Sequence, residues 1–252
     1  MIESHLRSLS GGLLLLLAAC STPLPKAVSV EPEIPLAKWK PSLHLADAAS
    51  SAGAPVIALQ ISDQLLAKNP RDADAWIRRG DALSALGRSS EAGASYASAI
   101  EIKPRDTRAL VGLGRVRLLQ DPSAAEALFA QAVTLDSRDV AAMSNLGVAR
   151  DLQGHHGAAQ EAYRMALGIT PGSMAVQVNL GLSLALSGDA NGAIRLLQPL
   201  ATAPGAPPRV RHDLALALTL DGRRAEASAV LGADLPTEQL RGTLDGFEAL
   251  RR

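Results

Sequence analysis

The chain has 252 residues, with 25 Lys and Arg against 25 Asp and Glu and a single cysteine. A formal net charge of zero leaves no basic excess to displace counterions from phosphates, which argues against a nucleic-acid partner, and one thiol excludes an internal disulfide. Hydrophobic residues reach 47% while aromatics are only 2%, so Ala and Leu supply nearly all the apolar area; both favour helices and neither is β-branched, which predicts an all-α body of closely approaching helices.

Residues 1–20 read MIESHLRSLSGGLLLLLAAC. Arg7 supplies a weak positive start, partly offset by Glu3. Gly11 to Ala19 is apolar but too short for a spanning helix, which needs about 20 residues; it has the length of a signal-peptide core. The run closes on Leu17-Ala18-Ala19-Cys20, which resembles the lipobox of bacterial lipoproteins. The resemblance implies a signal peptide over residues 1–19, a diacylglyceryl group on the Cys20 thiol, cleavage before it and acylation of the new amino terminus. Several acyl chains hold a protein to a membrane stably, where one binds only marginally. Ser21 stands where the family's inner-membrane retention signal has Asp, so the same resemblance implies the outer membrane, on its periplasmic face. The alternative is an ordinary signal peptide with a chance cysteine. Residues 20–38 then carry Pro23, Pro25, Pro32 and Pro35, which deny the stretch a regular helix. It is expected to be a semi-extended tether with a reach on the order of 50 Å.

From residue 39 to 235 the chain repeats itself. One unit starts at Ala73, with Trp76 fourth, Gly80 eighth, Gly87 fifteenth, Ala92 twentieth, Tyr96 twenty-fourth, Ala99 twenty-seventh and Pro104 thirty-second. A unit from Trp39 has Leu45-Ala46, Gly53, Ala58, Leu65 and Pro70; one from Val140 has Leu146-Gly147, Gly154, Ala159, Tyr163, Ala166 and Pro171. Units from Met174 (Leu180-Gly181, Gly188, Ala193) and Pro208 (Leu214-Ala215, Gly222, Ala227) follow the same grid. The unit from Thr107 has Leu113-Gly114, but Ala125, Phe129 and Ala132 each come one residue early, which predicts a deletion in the turn around Asp121-Pro122-Ser123. The pattern resembles the tetratricopeptide repeat (TPR), with its period of about 34 residues. Small residues at eight and twenty suit a close crossing of the two helices of a repeat, glycine at fifteen lets the chain turn, and proline near thirty-two ends the second helix. The resemblance implies an all-α TPR solenoid, a right-handed superhelix of about six helix-turn-helix repeats. Pro236 to Arg252 is expected to add a final amphipathic helix, with Leu240, Leu244, Phe247 and Leu250 at helical spacing. It would cap the open end of the stack or, alternatively, pair with a partner.

No arrangement of catalytic residues is apparent. There is no phosphate-binding glycine loop or nucleophile motif, and His155-His156 lies in a turn without the three or four convergent ligands that a metal needs. The chain is therefore read as a non-enzyme with no cofactor, metal or small-molecule substrate, whose partner is another protein. In the TPR family the second, fifth, sixth, ninth and twelfth positions of each first helix line a concave groove. Carried over, these positions give Arg78 and Asp81, Arg108 and Arg115, Asn145 and Asp151, Asn179, then Arg209, His212 and Asp213. Asn145 and Asn179 each precede a Leu-Gly pair; in many TPR proteins such an Asn bonds the backbone of a bound peptide, having both donors and an acceptor. Arg108 and Arg115, two turns apart on one face, are suited to grip a carboxylate, or form a solvated face. The paired lysines of carboxylate-clamp TPR domains are not reproduced.

Asn179-Leu180-Gly181-Leu182-Ser183-Leu184-Ala185-Leu186-Ser187-Gly188, the stretch from Leu200 to Leu216 and that from Leu231 to Pro236, taken with the lipobox, are similar to the TadD-type lipoproteins of Tad (Flp) pilus assembly. That resemblance implies a role at the outer membrane in assembling or localising the secretin pore, with the groove holding a secretin segment. The alternatives are a periplasmic adaptor that organises cell-wall hydrolases or an envelope protease, and an enzyme accessory subunit.

Overall fold

The computed structural model describes residues 41–250. The expected signal peptide 1–19, the lipid-attachment residue Cys20, the tether 20–38 and the first two residues of repeat one lie outside the described residues. Those described contain thirteen α-helices and no strand. Repeat one is α1 (Leu43–Ser51) and α2 (Pro55–Lys68); repeat two is α3 (Ala73–Ala85) and α4 (Ser89–Ile102); repeat three is α5 (Thr107–Arg117) and α6 (Pro122–Leu135). Repeat four is α7 (Val140–Leu152) and α8 (His156–Ile169); repeat five is α9 (Met174–Leu186) and α10 (Ala190–Thr202); repeat six is α11 (Pro208–Leu220) and α12 (Arg224–Leu231); α13 (Thr237–Ala249) follows. The solenoid of helix-turn-helix repeats expected from the spacing is therefore present. The chain divides after Ala149 into two compact parts, an N-terminal and a C-terminal one.

Side-chain caps start the first helices of repeats two and four. Asp72 accepts from the Ala75 amide at 3.1 Å and Asp139 from the Ala142 amide at 2.8 Å, each satisfying a donor that the first helical turn leaves unpaired. Each turn inside a repeat is closed at position fifteen. Gly87 has φ +73 and Gly154 φ +75, a left-handed conformation that costs a residue with a Cβ dearly. Repeat three has no such glycine. Instead Asp121 donates its amide to the Arg117 carbonyl at 2.8 Å and caps α6 by accepting from the Ala124 amide at 2.9 Å. The missing residue is the left-handed one, and a tighter turn replaces it.

The repeat cores are built from small residues against one large one. Position twenty is alanine in all six repeats (Ala58, Ala92, Ala125, Ala159, Ala193, Ala227), each with 0% exposure. At three of the eighth positions, glycine makes room for the large side chain at the twenty-fourth position of the same repeat. A Cβ on Gly80 would stand 2.6 Å from the Tyr96 ring, one on Gly114 2.6 Å from Phe129, and one on Gly181 2.6 Å from Leu197. Glycine at eight is what lets a ring lie across the first helix. In the N-terminal part these contacts merge into a core that runs from Ala46 and Ile61 through Ile77, Leu83 and Tyr96 to Leu113. In the C-terminal part, α13 packs on α11 and α12, burying Leu244 and Phe247.

Candidate partner-binding surface

In the N-terminal part, the groove positions of α1, α3 and α5 carry a continuous chain of ion pairs. Arg78 reaches Asp47 with Nε at 2.9 Å and Nη2 at 3.0 Å, and lies one helical turn from Asp74. Asp74 accepts from Lys103 Nζ at 2.8 Å and Arg108 Nη2 at 2.6 Å. The Lys103 hydrogen bond, followed by that of Arg108, holds the Asp74 carboxyl down at about 2. Arg108 also grips Asp106 at 2.6 Å. Arg78 and Arg108 are thus already engaged by carboxylates of this chain. Asp47, Asp74, Lys103 and Asp106 were not singled out in the sequence. Asp74 had a usable signal, since it is the second residue of its repeat, as Arg108 is of the next.

Beyond that chain the surface changes. Asp81 and Arg115, both ninth positions, are exposed, and Asn145 is half-buried. Beneath this surface the Tyr96 ring of α4, 3% exposed, fills a gap bounded by Gly80 and Gly112, either of which would collide with it if given a Cβ. Its hydroxyl donates to Asp81 at 2.7 Å. An acceptor, a cation and an amide therefore stand on α3, α5 and α7 in succession, the complement needed to hold an extended peptide by its backbone and one acidic side chain.

The C-terminal part differs. Asp151, Asn179 and Asp213 are 2%, 2% and 0% exposed, so three of the side chains expected to line the groove lie beneath its surface. Asp151 accepts from Tyr163 Oη at 2.9 Å and Ser183 Oγ at 2.7 Å, with His156 Nδ1 at 2.8 Å. It ties repeat four to repeat five. Asn179 accepts from Arg209 Nη2 at 3.2 Å. His212 meets Phe247 edge-on, with ring centroids 5.0 Å apart at 87°; burial lowers its imidazole pKa against the pull of Asp234. Burial sends each of these groups to an internal partner, because an unpaired polar group in a low-dielectric core is costly.

Asp213 is the exception. Arg209 Nε stands 3.5 Å from it, and neither carboxyl oxygen has a hydrogen-bond donor among the described residues. Burial, opposed by the Arg209 charge, raises this carboxyl to about 7. The folded state therefore holds the proton more tightly than the unfolded chain does. The contribution to stability is complete below the ordinary carboxylate range and is lost as pH rises through about 7. Asp213→Asn keeps the shape without the charge. Urea denaturation is expected to show wild type losing on the order of 2 kcal/mol more than the variant between about pH 5.5 and pH 8, at about 1.4 kcal/mol per pKa unit. Parallel curves would show that Asp213 is not the titrating group.

Among the described residues no three His, Cys, Asp or Glu side chains converge as metal ligands, and no helix is long and apolar enough to cross a membrane.

A tetratricopeptide repeat family model matches residues 43–107 and 119–174. The gap between the two segments covers most of α5, beside the shortened turn, and repeats five and six lie beyond the match although their helix pairs follow the same plan. No curated protein sequence matches the chain significantly. Among solved structures, PilW, described as a widely conserved type IV pilus biogenesis factor, aligns with 80% of this chain and 96% of its own at 22% identity and a TM-score of 0.70. A tetratricopeptide repeat protein from Parabacteroides merdae aligns with 81% and 82% at 14% identity and a TM-score of 0.62. YrrB, described as a TPR protein with an unusual peptide-binding site, aligns with 73% and 96% at 18% identity and a TM-score of 0.58. At these identities the likeness is one of fold. Repeat spacing, helix pairing and the family match over residues 43–107 and 119–174 show that this chain folds as a solenoid of tetratricopeptide repeats, the fold it shares with these solved structures.

Proposed function

We propose that this chain is an outer-membrane lipoprotein, anchored through Cys20, that serves as a protein-interaction scaffold in Tad (Flp) pilus assembly and helps to assemble or localise the secretin. The observation that carries the reading is the likeness to a type IV pilus biogenesis factor over 80% of this chain and 96% of the other. The lipobox-like Leu17-Ala18-Ala19-Cys20 at the head of the sequence supports the anchor. The scaffold needs no catalysis. Its work is to hold a segment of the partner while the acyl chains keep both at the membrane. The segment is held in the N-terminal part, where Asp81, Arg115 and Asn145 remain accessible; Arg78 and Arg108 shape that surface through their ion pairs with Asp47, Asp74 and Asp106.

A pull-down from detergent-solubilised membranes tests the reading. Wild type is expected to retain the secretin. An Arg115→Ala/Asn145→Ala variant is expected to lose at least about tenfold of it, equivalent to roughly 1.4 kcal/mol, with an unchanged helical signal. Cys20→Ser is expected to move the chain out of the membrane fraction. Recovery of cell-wall hydrolases or an envelope protease without secretin would replace the pilus assignment with the general adaptor reading.

A further inference from the structure

The C-terminal helix holds a position that bears on how the surface is used. α13 crosses the last repeat. Its N-terminal half, through Thr237, Leu240 and Leu244, lines an open cleft of about 860 Å³ shared with Arg224, Ala225 and Ser228 of α12. Phe247, one turn further on, covers His212, a fifth-position groove residue. Leu250 at its end faces Leu220 of α11 and the turn between α9 and α10. The helix therefore lies over the groove side of repeat six. On α11, Leu216 and Thr219, the ninth and twelfth positions, are 0% and 1% exposed, whereas the ninth positions of α3 and α5 are exposed charges.

The hold on α13 is light. Two of its side chains, Leu244 and Phe247, are buried. α12 has eight residues where the second helices of the other repeats have thirteen or fourteen, so the N-terminal half of α13 lacks a full-length neighbour and the cleft results. Leu240 and Leu250 are half-buried, and the half-buried Arg224 pairs with the exposed carboxylates of Asp245 at 2.5 Å and Glu248 at 2.8 Å, ion pairs open to water on one side and worth little. The preceding loop is pinned by Arg211, which grips Asp234 with two bonds of 2.6 Å. An element with few buried apolar contacts opens at lower free energy than the body it rests on.

We propose that α13 is a detachable occupant of the groove side of repeat six, and that the surface it leaves on α11 and α12 receives an amphipathic helix of a protein partner. The chemistry of that partner is read from what α13 supplies. Apolar residues at the spacing of Leu240, Leu244 and Phe247 cover His212 and the cleft, and two carboxylates at the spacing of Asp245 and Glu248 meet Arg224. This is helix-in-groove recognition, with the native helix as competitor, so partner affinity is reduced by the fraction of time the site is filled. The inference rests on the reading that the groove side takes a protein, but on no particular partner.

The test uses the full-length chain and a fluorescently labelled synthetic peptide of residues 236–252 as probe. Leu244→Ala/Phe247→Ala weakens the resident helix without altering the surface beneath. That variant is expected to bind the probe at least about tenfold more tightly than wild type does, while a probe carrying the same two substitutions does not bind. Equal binding to both proteins, or binding to neither, would overturn the proposal. Wild type that dimerises by exchanging α13 would overturn the partner-helix reading in favour of a second copy. Should the variant not fold, hydrogen exchange on wild type decides. Exchange of α13 amides at least about tenfold faster than those of α9 to α11 supports detachment, and equal protection excludes it. Neither readout depends on the secretin, so this inference and the pilus assignment fail separately.

Discussion

Replacing Asp151 by alanine is expected to destabilise the C-terminal part of the chain by about 3–5 kcal/mol, the cost of removing one member of a buried charged or polar network. The carboxylate is 2% exposed and receives the hydroxyls of Tyr163 and Ser183 and faces Nδ1 of His156, all within 2.9 Å. Alanine would leave these groups without the acceptor around which they are arranged. Asp151→Asn keeps the shape and one acceptor oxygen, and hydroxyls can turn to accept from an amide, so it is expected to cost roughly 1–2 kcal/mol. Urea denaturation followed by helical circular dichroism measures both. An alanine variant within about 1 kcal/mol of wild type would mean that the network contributes little, as some buried ionic groups do. The partner-binding readout of the pull-down should change little in correctly folded Asp151→Asn, because this side chain does not reach the surface.

The second large effect lies in the N-terminal part. Phe129→Ala should cost about 3–5 kcal/mol, the range for removing a fully buried aromatic ring and leaving a cavity. Phe129 is 0% exposed and lies across α5 where Gly114 leaves room for it. Gly114→Ala should itself cost about 1–3 kcal/mol, because its Cβ would stand 2.6 Å from the ring. The two are expected to couple. In the Phe129→Ala background the Gly114→Ala collision disappears, so the double variant should be more stable than the sum of the single losses by about 1 kcal/mol or more. Additive losses would show that Gly114 is required for its backbone conformation and not for the ring. Because neighbouring repeats can unfold separately, the denaturation slope should be compared among the variants as well as the midpoint.

The same pair shows what was legible beforehand. Phe129 comes one place early for its repeat, and the structure accounts for this by a turn at Leu118 to Asp121 that lacks a left-handed glycine. The aromatic, alanine and glycine positions were readable because their reasons are local: a crossing of two helices within one repeat, and a turn that only glycine makes cheaply. The ion-pair chain from Asp47 to Asp106 was half legible. The repeat grid named Arg78 and Arg108, but the carboxylates that engage them come from neighbouring repeats and from Lys103's side of the turn. Their pairing depends on how adjacent helices are offset, which no single-repeat pattern states.

The sequence by itself determined the helix-turn-helix period, the six repeats, the small-residue crossings and the final amphipathic helix, because each follows from residues close together along the chain. Only the tertiary structure decided which groove positions face solvent. The grid treats Arg115 and Leu216, or Asn145 and Asp213, as equivalents. Yet Arg115 is exposed and Leu216 buried, and Asn145 is half-buried where Asp213 is wholly enclosed. The physical reason is that exposure is set by whatever packs over a residue. Over His212 that is Phe247, a full repeat further along the chain, and no periodic pattern records such a contact.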